Sequence, residues 1–493
     1  MSLSNYKLRN LSFEAWHCFL ILFFFAFTAN AQPSAKSASK PKYNVLFIIA
    51  DDLRPELGAY GVKAIKTPNI DKIAATGTRF DRAYAQYPVC NPSRTSFLTG
   101  RYPLQTGVMN NNDYFRRKFP DMVTLPQYFK NNGYASLRSG KIFHGGIDDQ
   151  VSWTEGGEPT DPAITERGNR LTQAVLNSNA PQDPQTVQAR KNTSASDTII
   201  VLPGEGESHG DYKTATKAIE YLDKYKDKPF FLAVGFVKPH SPPSAPKRFF
   251  DLYDVTKMEL PADFGTTPKA SPGFPAISIS ATNSDLFIGR ESPPLLSKEM
   301  KRAYYASTSY MDAQVGRVME ALKRNNLEKN TIVVFFGDHG YHLGEKGKWS
   351  KAYSMYELGL RVPLLIAVPN GKAQQSSQIV ELIDLYPTLA DLCGLSKPAG
   401  TEGQSLKSLL QKPESKWNFP AYSVTGVQKI VAKSVRTKRW HYVEWDEGRS
   451  GSMLTDVPND PHEWKNLVND PKYSVQVKEM KMLLQKMPAS QSN

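Results

Sequence analysis

Cysteine is scarce in this chain. Its 493 residues include three: Cys18, Cys90 and Cys393. A protein of this size with so few cysteines is not built on disulfides, even if it is exported. Cys393 lies in the apolar pattern Leu389-Ala-Asp-Leu-Cys-Gly-Leu395 and reads as a small buried hydrophobe. Cys90 stands between Pro88 and Pro92, off any apolar stripe, and needs another explanation. Long apolar runs are missing too. Only the N-terminus has one, at residues 18–27, and it is too short to span a bilayer comfortably. With Lys7 and Arg9 before it and Ala29-Asn-Ala31 after it, the segment reads as a signal peptide cleaved before Gln32, an uncleaved anchor being the alternative. Acidic residues are the minority, 48 against 61 basic ones, for a formal charge of +13. Losing residues 1–31 removes two basic residues and one acidic residue and leaves +12. The excess favours a polyanionic partner. Zinc-finger spacing, RNA-binding signatures and basic-aromatic runs are absent, which argues against nucleic acid. No internal repeats are visible.

Residues 32–42 are a polar linker rich in Ser, Lys and Ala. Continuous apolar runs then recur at residues 43–50, 229–237, 331–336 and 362–368, the pattern of strands buried on both faces of a parallel sheet. Helical periodicity separates them, notably over residues 297–325. Strands alternating with helices predict an α/β fold with a large, mostly parallel sheet. Residues 145–210 and 259–295 lack periodicity and are expected to form functional rims or disordered segments. Past residue 400 the pattern changes to alternating strands at residues 430–437 and 440–445 and a helix near residues 474–484. The expected organisation is a signal peptide (1–31), a linker (32–42), a catalytic domain (43–400) and a smaller α+β subdomain (401–493).

The ends of the apolar runs carry the chemistry. The first runs into Asp51-Asp52, the second into Lys238-Pro-His240, and the third into Asp338-His339. Open α/β sheets bind ligands just beyond the carboxyl ends of their strands, so three distant segments aim carboxylates and imidazoles at one edge. A single acidic pair after a strand is also compatible with a helix N-cap, but three coincidences at strand ends are much harder to account for in that way. Asp51, Asp52, Asp338 and His339 together suit a hard divalent cation, Ca²⁺ or Mg²⁺, although an imidazole by itself fits zinc better. The sharpest motif runs from Val89 to Arg101 and contains Cys90-Asn91-Pro92-Ser93-Arg94 and Leu98-Thr99-Gly100-Arg101. Pro92 near the start of a short helix suits a helix N-terminus, whose free N–H groups and dipole receive an anion, and Arg94 adds a charged donor fork.

This stretch resembles the signature Cys-x-Pro-Ser-Arg followed by Leu-Thr-Gly-Arg of the formylglycine-dependent (type I) sulfatases. The likeness extends from about residue 43 to 391 and implies the alkaline-phosphatase-like sulfatase fold. It is narrower toward the iduronate-2-sulfatase branch through Asp51-Asp-Leu-Arg-Pro55, Gly140-Lys-Ile-Phe-His144, Ser309-Tyr-Met-Asp312 and Asp338-His-Gly340. Many sulfatases carry Asn at the position of His339, whereas this branch carries His. Leu454-Thr-Asp456 and Asp460-Pro-His-Glu463 resemble the closing motif of bacterial sulfatases.

The resemblance implies that Cys90 is oxidised to formylglycine by a formylglycine-generating or anaerobic sulfatase-maturating enzyme. It further implies that Asp51, Asp52, Asp338, His339 and residue 90 hold the metal, Ca²⁺ or Mg²⁺, and that Arg94, Lys141 and Lys351 hold the sulfate. His240 or Lys351 would protonate the leaving oxygen, and His144 would deprotonate the second hydroxyl of the hydrated aldehyde. The implied protein is an exported, periplasmic or secreted sulfuric ester hydrolase. Its substrate would be a sulfated glycan, most simply a terminal 2-O-sulfated uronic acid, and the mature chain would have no membrane span. Two alternatives remain: hydrolysis of phosphate or phosphonate esters on the same fold, and glycan binding without catalysis. His209, His342, His441 and His462 carry no comparable support.

Overall fold

A computed structural model describes residues 43–160, 196–427 and 430–488. The signal peptide and linker expected at residues 1–42, and part of the first aperiodic stretch, lie outside the described residues. The central sheet has seven strands: β1 (Asn44–Asp51), β2 (Thr78–Tyr84), β3 (Ala135–Gly140), β5 (Phe230–Pro239), β7 (Thr331–Gly337), β8 (Arg361–Ala367) and β9 (Gln374–Glu381). Their order is β3-β5-β1-β7-β8-β2-β9. All eight residues of β1 are buried because the strand is covered on both faces. Val45, Phe47 and Ile49 enter one apolar cluster, and Leu46, Ile48 and Ala50 enter another on the opposite face. That two-sided burial is why the run is continuous rather than alternating. Each of the Val, Leu, Ile and Phe side chains among them contributes about 1.5–3 kcal/mol on burial.

Parallel pairing joins β3, β5, β1 and β7, so their carboxyl ends share one edge. The run at residues 362–368 departs from the parallel expectation, because β8 is antiparallel to both β7 and β2. A continuous apolar run reports burial, not direction. The segment from β7 to β8 holds one short helix, Glu357–Leu360, and brings the chain back antiparallel. Five helices matter for the site or its support: α1 (Pro68–Ala74), α2 (Cys90–Thr99), α3 (Leu125–Asn131), α4 (Gly210–Tyr225) and α5 (Pro294–Arg324). Helix α5 starts at Pro294, where the missing N–H costs nothing, and buries Tyr304, Met311, Val315 and Val318. Two short strands, β4 (Ile200–Leu202) and β6 (Ser244–Pro246), form a separate parallel pair.

The C-terminal part is a four-stranded antiparallel sheet, β10 (Ala421–Val427), β11 (Ile430–Arg436), β12 (Trp440–Trp445) and β13 (Ser452–Asp456), in sequence order. The helix Ser474–Leu484 packs on it through Met480 and Leu484. A buried ionic network ties this sheet to the central one. The Arg436 guanidinium ion-pairs with Glu357, lies 2.9 Å from His441 Nδ1 and 3.7 Å from Glu463. Glu463 accepts from the backbone N–H of Glu357 at 2.6 Å, and Tyr84 of β2 donates to Glu357 at 3.1 Å. The closing motif of the sequence is therefore a joint between the two sheets. Among the described residues, no helix is long and apolar enough to cross a membrane.

Removing one partner from such a network strands the others as buried charges. Arg436→Ala is expected to destabilise the protein by about 3–5 kcal/mol in urea denaturation. The exposed Arg449→Ala should leave the denaturation midpoint nearly unchanged. Equal, small effects of both would refute the joint.

Candidate active site

Four strand ends and one helix start build the site. Asp51 closes β1, and Asp52 follows it with φ of 63°, a left-handed conformation in which a non-glycine residue is strained. Lys141 and His144 follow β3, His240 follows β5, and Asp338 and His339 follow β7. Two glycines let β3 and β5 end close together. A Cβ on Gly235 would meet the Lys141 carbonyl oxygen at 1.9 Å, and one on Gly140 would meet the Gly235 carbonyl at 2.2 Å. Cys90 is the first residue of α2, with Val89 as an N-cap that supplies no side-chain hydrogen bond. The free N–H groups expected from the sequence are largely engaged, however: Asn91 N–H donates to Asn111 Oδ1 at 3.0 Å, Ser93 N–H donates to the Val89 carbonyl at 3.1 Å, and Pro92 has none, so what the helix start offers an anion is chiefly its dipole.

The charged groups interlock. Arg94 is fully buried; its Nε donates to Asp338 Oδ2 at 2.9 Å, and Nη1 donates to the carbonyls of Lys141 and Ile142 at 2.6 and 2.9 Å. Its Nη2 lies 3.7 Å from Asp51 Oδ2 and has no hydrogen-bond partner. Lys141 Nζ pairs with Asp51. Lys351 Nζ lies 2.8 Å from both oxygens of Asp52, donating to Oδ2 and leaving Oδ1 without a directed hydrogen bond. His240 Nε2 is 3.8 Å from Asp52 Oδ2. The Cys90 sulfur is 3.4 Å from Asp51 Oδ1 and 3.2 Å from His339 Nε2. His144 and His240 are also imidazole neighbours of the thiol; the hydrogen bond with His144 lowers the Cys90 pKa, and His144 Nδ1 is unpartnered. Ser93 Oγ donates to the Asp338 carbonyl at 2.5 Å, locking α2 onto the end of β7.

This crowding sets the protonation states. Burial pushes Asp338 up to about 7, with the Asp51 charge adding to it. Burial and the Cys90 sulfur push Asp51 up as well, but the Lys141, His240 and Arg94 cations outweigh them and hold it well below the usual carboxylate range. Burial also raises Asp52. The Cys90 thiol is held well below its ordinary value because Lys141, Lys351 and His339 outweigh its burial. Burial lowers His144. His240 rises to about 9 because Asp52 and Asp51 overcome burial and the Lys351 charge.

All ten residues singled out in the sequence lie in this one cluster: Asp51, Asp52, Cys90, Arg94, Lys141, His144, His240, Asp338, His339 and Lys351. Among the described residues, two overlapping groups have ligand atoms within 4.8 Å of one another: Asp51, Asp52, Cys90 and His240, and Asp51, Cys90, Asp338 and His339. The donor set fits a divalent cation. Asp51 is grouped with Asp52 on one side and with Asp338 on the other, Asp52 Oδ1 has no directed partner, and burial and the Asp51 charge drive Asp338 toward its neutral form despite its Arg94 partner. His240 enters one of these groups although the sequence suggested only a proton-transfer role for it. Sequence reasoning missed Asp285, which is buried against Lys351 at 3.6 Å. It lies in the aperiodic stretch, where nothing in the spacing marks a site residue.

Comparison with known proteins gives the family context. A family model described as "Sulfatase" matches residues 43–395, and one described as "N-sulphoglucosamine sulphohydrolase, C-terminal" matches residues 344–490. The chain is 32% identical to iduronate 2-sulfatase of Mus musculus, over 94% of this chain and 96% of that protein. Among solved structures, it is similar to a 2-O glycosaminoglycan sulfatase, with a TM-score of 0.64, 24% identity, and 91% of each chain covered. It is also similar to the phosphonate monoester hydrolase of Agrobacterium radiobacter, with a TM-score of 0.70, 21% identity, and 90% of this chain and 95% of that one covered.

The carboxylate cluster predicts a cation-dependent stability. Adding Ca²⁺ or Mg²⁺ to metal-stripped protein at 100 times the Kd is expected to stabilise it by about 2.7 kcal/mol, read as a rise in Tm. Asp338→Asn should lose that rise. A Tm unmoved by either ion in the unaltered protein would contradict the site.

Proposed function

The chain belongs to the sulfatase family, a sulfuric ester hydrolase by that membership, and from this premise we propose that it removes a 2-O-sulfate from a terminal uronic acid of a glycan with a formylglycine formed at Cys90. The observation that carries the chemistry is the placement of Cys90. It opens α2 with its sulfur among Asp51, His339 and His144, and Arg94, Lys141 and Lys351 surround that point with cations. A sulfate ester brings a dianion-like transition state, and pre-placed cations with a helix N-terminus stabilise charge developing on its oxygens.

In this reading residue 90 is an aldehyde hydrate. One hydroxyl would attack sulfur in line, its proton passing to the adjacent Asp51 carboxylate, and the bond from sulfur to the sugar oxygen would break with its electron pair staying on that oxygen. His240 or Lys351 supplies the proton the oxygen needs. His144, unpartnered at Nδ1 and kept neutral by burial, takes the proton of the second hydroxyl. The carbonyl then re-forms as sulfate leaves, and water restores the hydrate. Asp51, Asp52, Asp338 and His339 would hold a divalent cation, most simply Ca²⁺, with residue 90 beside it. When bound, that cation supplies charge for the sulfate oxygens and acidity for the attacking hydroxyl.

The 32% identity to an iduronate 2-sulfatase over nearly the whole of both chains supports the uronate substrate, as does the basic balance of the sequence. The polar segment at residues 259–295, which delivers Asp285 to the cluster, offers one wall for a sugar. Residues 1–31 support export to the periplasm or outside the cell. The fold is shared with phosphonate ester hydrolases, so the fold does not choose the bond; the Cys-x-Pro-Ser-Arg stretch favours sulfate.

Two measurements test the reading. Cys90→Ala is expected to cut sulfate release by about 10⁴-fold or more with an unchanged circular dichroism spectrum. Near-native turnover by that variant would reject the nucleophile. On defined oligosaccharides, a terminal 2-O-sulfated uronate should be preferred over internal, 4-O- and 6-O-sulfated sugars. Preference for an internal or 6-O-sulfate would reject the substrate while leaving the sulfatase chemistry standing.

A further inference from the structure

We infer that Asp285 is a positioning residue that holds His240 and Lys351, the two groups on the leaving-oxygen side, in one frame. The inference rests on the roles proposed above for those two residues. Asp285 belongs to a stretch whose only regular piece is one turn of 3-10 helix at Ala276–Ser278, yet it is 8% exposed. Its Oδ1 accepts a hydrogen bond from Ser241 Oγ. Its Oδ2 accepts from Tyr341 OH at 2.8 Å and lies 3.6 Å from Lys351 Nζ. One carboxylate therefore reaches the segment after β5, the segment after β7, and the lysine itself.

The link to His240 runs through Ser241. The Ser241 carbonyl oxygen is 2.8 Å from His240 Nδ1, and a carbonyl only accepts, so Nδ1 carries the hydrogen. With Nδ1 committed, Nε2 is the nitrogen that faces Asp52 and the reaction centre, at 3.8 Å from Asp52 Oδ2. Pinning Ser241 through its hydroxyl thus fixes the plane of the imidazole. Lys351 needs fixing for a different reason. Its ammonium sits on a flexible four-carbon stem and contacts Asp52 on one side; Asp285 supplies the second anchor, with the Tyr341 ring 5.8 Å beneath.

Asp285 is itself held in register. The Leu286 N–H donates to the Trp349 carbonyl at 3.1 Å, and the Trp349 N–H donates to Asn283 Oδ1 at 2.7 Å. Trp349 stands two residues before Lys351, so the carboxylate and the lysine it supports are keyed to the same backbone. Ser196 Oγ donates to the Asp285 carbonyl at 2.6 Å. A carboxylate held by both its side chain and its backbone is a rigid support, which is what placing a proton donor to a fraction of an ångström demands.

The chemistry makes the role measurable. When the sulfur–oxygen bond breaks, a sugar oxygen would depart as a strongly basic alkoxide and needs a proton as it leaves. A nitrophenolate departs without one. Misplacing the donors therefore slows sugar sulfates far more than activated aryl sulfates. With a 2-O-sulfated uronate disaccharide, Asp285→Ala is expected to lower kcat by about 10²–10³-fold with little change in KM, and with 4-nitrophenyl sulfate by about tenfold or less. Ser241→Ala, which cuts only the arm to His240, should show the same substrate-dependent split to a smaller degree and guards against misfolding of the first variant. Equal losses on both substrates in both variants, at unchanged Tm, would overturn the assignment, as would no loss on the disaccharide. Failure of the underlying reading looks different: Cys90→Ala would stay active, or the unaltered enzyme would leave the uronate sulfate intact.

Discussion

Three carboxylates that cannot all be ionised side by side without help are the constraint from which the rest of the site follows. Asp51, Asp52 and Asp338 are fully buried and share one small volume. Burial, with the neighbouring Asp51 charge adding to it, raises Asp338 to about 7. The chain answers with cations placed one to a carboxylate: Lys141 on Asp51, Lys351 on Asp52, Arg94 on Asp338. Those same cations are the groups that the proposed sulfate binding would use. One arrangement would then serve both the folding of the buried carboxylates and the proposed catalysis, so no pair could be altered singly without touching both.

Much of this was legible in the sequence because it lies at places where sequence and geometry are tightly linked. A buried parallel strand must be apolar to its end, so the first polar residues after it mark the sheet edge. That is how Asp51, His240 and Asp338 could be assigned to one locus from segments nearly 290 residues apart. Cys90 was legible because prolines bracket it and a helix start follows. The strand β8 shows the opposite case: its apolar run announced burial but carried nothing about direction, and it runs against its neighbours. Strands β2 and β3 were overlooked because mixed residues such as Arg79, Asp81, Arg82 and Arg138 dilute their apolar patterns.

Asp285 was not legible for a different reason. Its neighbours Ser284 and Asn283 look like ordinary loop residues, and an aperiodic stretch offers no face to read. What makes it matter is contact across 44 residues to Ser241 and 56 to Tyr341. The joint at Arg436, Glu357, His441 and Glu463 is similar, since each residue is unremarkable alone and only the tertiary pairing shows why buried charge is tolerated there. Sequence patterns report local periodicity and burial; they do not report which distant partner satisfies a charge.

The same burial bears on how the proposed nucleophile could arise. Cys90 is 1% exposed, and every residue of α2 is buried. Arg94 is bonded to the carbonyls after β3, Ser93 to the end of β7, and Asn91 to the carbonyls of Asn110 and Asp113. An enzyme that oxidises the thiol would have to pull this helix from three neighbours at once, breaking the charge-assisted bonds of Arg94, worth about 1.5–3 kcal/mol each, and neutral ones of Ser93 and Asn91, worth about 0.5–1.5 kcal/mol each. The proposed maturation therefore belongs before the sheet closes, while residues 88–95 are still an accessible extended segment. A residue altered at that stage would be enclosed by the carboxylate and cation frame as the sheet closes, so the closed frame would not need to open for it.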